Sequence, residues 1–139
     1  MAELTPITVS ITVNAPITKV WACWNEPEHI TKWAFASDDW EAPVAENDVR
    51  TGGTFKTVMA AKDKSESFDF GGTYTAVTEH ELIEYDMTDG RHVKVEFKET
   101  PEGVVIIETF DPEGENPDDM QRAGWQAILE NFKKHVETE

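Results

Sequence analysis

Residues 116–137 read NPDDMQRAGWQAILENFKKHVE, and they have the grammar of one long amphipathic helix. Asn116 is placed as the N-cap and Pro117 as the first helical residue. Asp118 and Asp119 stand against the positive end of the helix, with Lys133, Lys134 and His135 near the negative end. Met120, Trp125, Ile128, Leu129, Phe132 and Val136 fall on one apolar stripe. At a rise of about 1.5 Å per residue such a helix spans ~30 Å, enough to cross a sheet from edge to edge. An oily stripe of that length needs a partner layer of similar width, which the rest of the chain has to supply.

The preceding sequence is rich in strands. Val9, Ile11 and Val13 alternate with Thr8, Ser10 and Thr12, the pattern of a half-buried strand. Pro16 is suited to the first position of a helix, and Ile17, Val20, Trp21 and Trp24 follow at helical spacing. Pro27 restarts the chain into a shorter helix ending near Trp33. Ala36 to Gly53 is mostly polar and reads as a loop with one short strand, Trp40 to Ala45. Strands are then expected at Phe55–Ala61, Glu66–Val77, Leu82–Thr88, Arg91–Glu99 and Val104–Phe110. Asp89-Gly90 makes a hairpin turn that sets Ile83, Tyr85 and Met87 opposite Val93, Val95 and Phe97. Gly71-Gly72 interrupts its strand, as a bend, a bulge or a close backbone approach would require. Strands and helices segregated in this way specify an α+β fold. The expected form is a curved antiparallel sheet of about six or seven strands wrapped around the C-terminal helix, with two short helices after strand one.

A chain of 139 residues fits a single domain over 1–139. With seven Phe, five Trp and two Tyr it has oily surface enough to fold without staples. The net charge of −16, from 28 acidic and 12 basic residues, repels phosphate backbones and anionic lipid, so neither nucleic acid nor membrane is an expected partner. Cys23 is the sole cysteine and lies in an apolar helical pattern, as a small buried hydrophobe does. The start of the chain lacks the basic and apolar regions of a signal peptide, and a cytoplasmic location is expected.

Several strings within this order carry a resemblance. They are Asn14-Ala15-Pro16 with Val20-Trp21 and Trp24, Pro27-Glu28-His29-Ile30 with Trp33, and Ser37-Asp38-Asp39-Trp40. Ala45-Glu46-Asn47-Asp48, Gly52-Gly53, Phe68-Asp69-Phe70-Gly71-Gly72-Thr73-Tyr74 and Gly124-Trp125 complete the set. From about Ile7 to Val136 the chain resembles the START-like (SRPBCC) superfamily. Within it, the chain is similar to the family related to the C-terminal domain of the activator of the heat-shock protein 90 ATPase. The resemblance implies a helix-grip fold with a cavity between the long helix and the sheet, often for a hydrophobic ligand. Relatives in the superfamily include lipid carriers, polyketide cyclases, hydroxylase subunits and chaperone activators, so fold alone does not decide function.

The cavity candidates are Trp24, Trp33, Trp40, Phe55, Phe68, Phe70, Tyr74, Tyr85, Met87, Phe97, Met120 and Trp125, with Tyr74, Tyr85 and His80 as polar anchors. Most aromatics are expected to be plain core, and periodicity does not separate those that line a pocket. A dry void of ~300 Å³ would forfeit on the order of 7 kcal/mol, against a net stability of about 5 to 15 kcal/mol. Any pocket is therefore expected to be modest and partly wet, or filled by a ligand. Asp38, Asp39, Glu41, Glu46 and Asp48 lack the spacing of a calcium loop, so no metal and no cofactor is expected. His29, His80, His92 and His135 are dispersed and read as surface residues. Asp69 and Glu108 lie in strands as candidate bases, with the facing of Glu108 left open. The leading expectation is a binder of an apolar small molecule, beside a chaperone-interaction module and a cyclase-like or hydrolytic enzyme.

Overall fold

In the computed structural model, residues 5–35, 39–88, 90–112 and 117–138 are described. The strands are β1 (Ile7–Val13), β2 (Trp40–Asn47), β3 (Thr54–Ala61), β4 (Ser67–Thr78), β5 (Leu82–Met87), β6 (His92–Thr100) and β7 (Gly103–Phe110). The helices are α1 (Ile17–Asn25), α2 (Pro27–Ile30) and α3 (Asp118–Thr138). All seven strands form one antiparallel sheet in the order β1-β7-β6-β5-β4-β3-β2. β2 to β7 form a meander, while β1 joins the far edge beside β7, with Val9 opposite Glu108 and Ile11 opposite Ile106. Because β1 and β2 lie on opposite edges, their connection must traverse the sheet, and α1 with α2 makes that crossing.

The helix starts differ from expectation by one residue. Pro16 is the N-cap of α1, with an extended ψ of 151°, and its carbonyl accepts from Lys19 and Val20. Pro117 likewise precedes α3, and its carbonyl accepts from Met120 and Gln121. In both cases a fixed φ and a useful carbonyl serve the cap as well as the first turn. Asn116, Asp89 and Ser37-Asp38 lie outside the described residues. The second helix stops at Ile30, three residues short of Trp33, and continues as a turn. β2 runs two residues beyond Ala45, and its register shifts between Glu41 and Val44. Pro43 stands inside that shift, where a residue without an N–H is tolerated at a sheet edge.

Gly71 and Gly72 mark close backbone approaches. A Cβ on Gly71 would lie 2.6 Å from the Phe55 carbonyl oxygen, and one on Gly72 would lie 2.3 Å from that of Asp86. The neighbouring strands on both sides therefore press onto β4 here, and the register with β5 slips just beyond, between Tyr74 and Ala76. These features bend the sheet into a trough.

α3 runs along one side of that trough. Its backbone approaches β1 and α1, and its side chains hold the outer edge. Gln126 Nε2 donates to the Ser10 carbonyl at 3.0 Å and Lys133 Nζ to that of Thr12 at 2.7 Å. The backbone N–H of Asn14 donates to Glu137 at 2.9 Å. Carbonyls on the outer side of β1 thereby gain partners and are shielded from another strand. Trp125 stacks on Phe110 of β7 with ring centroids 3.9 Å apart. Farther across, towards β3, β4 and β5, long side chains rather than packed backbone bridge helix and sheet, and a hollow remains.

Candidate functional site

The hollow has a volume of about 390 Å³. Trp24, Trp33, Phe55, Phe68, Phe70, Tyr74, Tyr85, Met87, Met120 and Trp125 line it, together with Ile83 and Ile128. Phe68 and Met120 are 50% and 63% exposed and form the solvent side, whereas Ile83 is buried. The wall thus grades from a wet lip to a dry floor.

The candidate aromatics separate into two groups. Phe55, Phe70, Tyr74 and Tyr85 form a linked set on β3 to β5, with Phe55 4.7 Å from Tyr85 and Phe70 6.1 Å from Trp125 on α3. Trp21, Trp24, Trp33, Phe97 and Phe132 pack instead where α1, β6 and α3 meet, with Trp24 4.9 Å from Phe132 and 5.7 Å from Phe97. Trp24 and Trp33 belong to this solid core and also show a face to the hollow. Phe97 does not line it, because α1 covers that part of the trough. Trp40 also stays outside, resting 5.8 Å from Phe68 at the start of the edge strand. His80 is no anchor, since it occupies a left-handed turn (φ 67°) between β4 and β5 and meets Trp21 edge-on at 5.8 Å.

Polar groups reach the hollow from several elements. The Tyr74 hydroxyl donates to Asn47 Oδ1. Asn47 Nδ2 in turn donates to the Asn25 carbonyl at 2.7 Å, tying the end of β2 to the end of α1. Burial raises the Tyr74 hydroxyl above its ordinary value, and the Asn47 hydrogen bond partly opposes this. Tyr85 is raised as well, first by burial and then by the neighbouring Glu108 carboxyl. Glu46, Thr57, Arg91 and Gln121 complete the polar part of the lining.

Glu108 is the unusual member of this set. Val104, Ile106, Glu108 and Phe110 are the buried residues of β7, so a carboxyl stands where the alternation calls for an aliphatic side chain. It is 5% exposed and lines the hollow. Among the described residues no hydrogen bond or ion pair reaches it. Burial pushes its pKa up to about 8, so the carboxyl is largely neutral at pH 7. The facing left open in the sequence is thereby decided, and strand parity with Ile106 and Phe110 was the signal that could have found it.

The histidines correct the sequence expectation in one respect. His29 and His135 are half-buried and come together, with Nδ1 and Nε2 2.9 Å apart. His92 lies at the surface between Asp86 (2.7 Å) and Glu84 (3.0 Å), and hydrogen bonds to these two carboxylates raise its pKa. Of the five candidate acids, Asp48 pairs with Arg50 at 2.9 Å and Glu46 borders the hollow.

Solved structures of proteins with similar sequence share this fold. The solution structure of an AHSA1-like protein from Aeromonas hydrophila superposes with a TM-score of 0.91 at 42% identity, covering 96% of this chain and 93% of that one. A protein from Cytophaga hutchinsonii is 55% identical with a TM-score of 0.82, covering 95% and 92%. A Nitrosomonas europaea protein shares the fold at 18% identity, with a TM-score of 0.83 over 96% and 94%. Among curated proteins none matches the chain. The family model described as activator of Hsp90 ATPase homolog 1-like protein matches residues 14–137, and the chain belongs to that family.

Proposed function

We propose that the protein binds a small, mostly apolar molecule with one hydrogen-bonding end in the hollow between α3 and the sheet. The observation that carries this reading is the buried Glu108 carboxyl, without a hydrogen bond or ion pair among the described residues, facing a mostly apolar space of about 390 Å³. Left dry, that volume would cost on the order of 9 kcal/mol, most of the net stability of an ordinary domain. A ligand restores the lost contacts. The neutral carboxyl both donates and accepts, which suits a hydroxyl, carbonyl or amide on an otherwise oily molecule.

Native mass spectrometry of gently purified protein, with a thermal-shift panel of fatty acids, sterols and polyketides, tests the reading. A retained mass or a raised Tm is expected, because binding to the folded state alone stabilises it. Gly124→Leu supplies a control, since a Cβ at Gly124 meets nothing within 4 Å and the residue lines the hollow. This variant should keep its fold and lose the shift. A wild type that retains nothing and responds to no compound refutes the proposal.

Glu108 also favours a second reading. A carboxyl near 8 beside Tyr85 has the proton affinity that a general acid or base needs near neutral pH, in keeping with a cyclase-like or hydrolytic activity. Turnover of a bound compound that disappears in Glu108→Gln while binding persists would establish it. The family description keeps a chaperone contact in view as a third reading. A pull-down with the chaperone and its ATPase rate with and without this protein decide that one.

A further inference from the structure

Cys23 on α1, His29 on α2 and His135 near the end of α3 converge at a point separate from the hollow, which none of the three lines. One ligand-type atom from each, a thiol sulfur and two ring nitrogens, lies within 4.8 Å of the others. The imidazoles stand 2.9 Å apart, nitrogen to nitrogen, with their planes crossed at 60°. At that distance one ring N–H donates into the lone pair of the other, so at least one ring is neutral. Cys23 is buried and both rings are half-buried, which leaves the histidine side open to solvent.

We infer that this triad is a binding site for a borderline-soft divalent cation of the Zn(II) class. Thiolate sulfur and imidazole nitrogen are the preferred ligands of such ions. Bond lengths of about 2.3 Å to sulfur and 2.0–2.1 Å to nitrogen place tetrahedral ligand atoms about 3.3–3.6 Å apart. The pair of histidines, 2.9 Å apart, has to open by only a few tenths of an ångström, and the thiol sulfur, within 4.8 Å of the imidazole ligand atoms, has to draw in by about 1 Å at most. As the ion binds, the thiol proton leaves to solvent and the metal–sulfur bond forms, while the donating imidazole moves its proton to its other nitrogen. The fourth position faces solvent and takes water or a carboxylate. His29 belongs to a second group with the exposed Glu26 and Glu28, whose ligand atoms again lie within 4.8 Å of one another. A net charge of −16 further raises the local concentration of cations.

Co(II) titration of untagged, chelator-treated protein, followed by competition with Zn(II), tests the site. The expected result is one equivalent of Co(II) showing tetrahedral bands and a thiolate-to-cobalt charge-transfer band, displaced by Zn(II). Cys23→Ser should lose the charge-transfer band and bind Zn(II) more than about tenfold more weakly. His135→Ala, on the half-exposed last turns of α3, should stay folded by circular dichroism and lose the Zn(II)-dependent rise in Tm. His92→Ala, at the surface cluster with Glu84 and Asp86, should bind as the wild type does. No charge-transfer band in the wild type, or undiminished binding by His135→Ala, overturns the assignment and leaves the two rings as a clasp between α2 and α3.

Discussion

Glu108 occupies a position between Ile106 and Phe110 where every neighbour on the same face of β7 is aliphatic or aromatic. A carboxyl held at about 8, against an ordinary 4.5, binds more protons in the folded than in the unfolded chain between those two values. Stability from this group is therefore fullest below about pH 4.5 and is lost as pH rises towards 8, by about 1.4 kcal/mol per unit. That amounts to roughly 3 kcal/mol by pH 7. Glu108→Gln removes the proton and with it this slope. Urea unfolding of the variant and wild type across pH 5 to 8 should show the variant gaining on the wild type by a few kcal/mol as pH rises, and equal slopes would refute the burial of an unpaired carboxyl. A residue that lowers stability at neutral pH is the kind a functional hollow retains.

At the scale of the element, β4 decides the shape of the site. Its two glycines admit the Phe55 and Asp86 carbonyls from opposite neighbours, and the bend they allow turns Phe70, Tyr74, Phe55 and Tyr85 towards α3. Gly72→Ala would set a Cβ 2.3 Å from the Asp86 oxygen, and since both partners are backbone the strands must part. The expected cost is about 2–3 kcal/mol, in the range of strained backbone substitutions, with loss of thermal shifts by cavity ligands. A variant as stable as the wild type would show that the β4–β5 contact is slack. α3 offers the complementary case. Its stripe was legible in Leu129, Phe132 and Val136, all fully buried, whereas its polar tether to β1 through Gln126 and Lys133 depends on an edge carbonyl row that only the sheet order creates.

For the molecule as a whole, the excess of acid is the dominant electrostatic fact. The described Lys and Arg pairs with acids, such as Arg50 with Asp48 and Lys56 with Asp69, are at the surface and contribute little each. Repulsion among the remaining carboxylates therefore opposes the compact state. Raising salt from low to physiological ionic strength shortens the Debye length to about 8 Å and should raise Tm, by about 4 °C for each kcal/mol recovered. A Tm that falls with salt would mean that specific ion pairs outweigh this general repulsion. No helix among the described residues is long and apolar enough to cross a membrane.

Local pattern by itself determined the strands, the hairpin and the long helix, because a period of two or of 3.6 and a proline or glycine at a boundary are properties of neighbouring residues. Ten of the twelve cavity candidates border the hollow, but periodicity could not separate them from Trp40 and Phe97, which do not. Long-range placement determined the rest. Phe97 alternates in β6 as Tyr85 does in β5, yet Phe97 meets Trp21 and Trp24 of α1 and Tyr85 meets the hollow, and only the path of α1 over the sheet decides which. Glu108 acquires its character from a wall built by four other strands, β2 to β5, and by the helices, and the meeting of His29 with His135 joins residues 106 positions apart. Burial and proximity are three-dimensional quantities, and a carboxyl or an imidazole takes its chemistry from them.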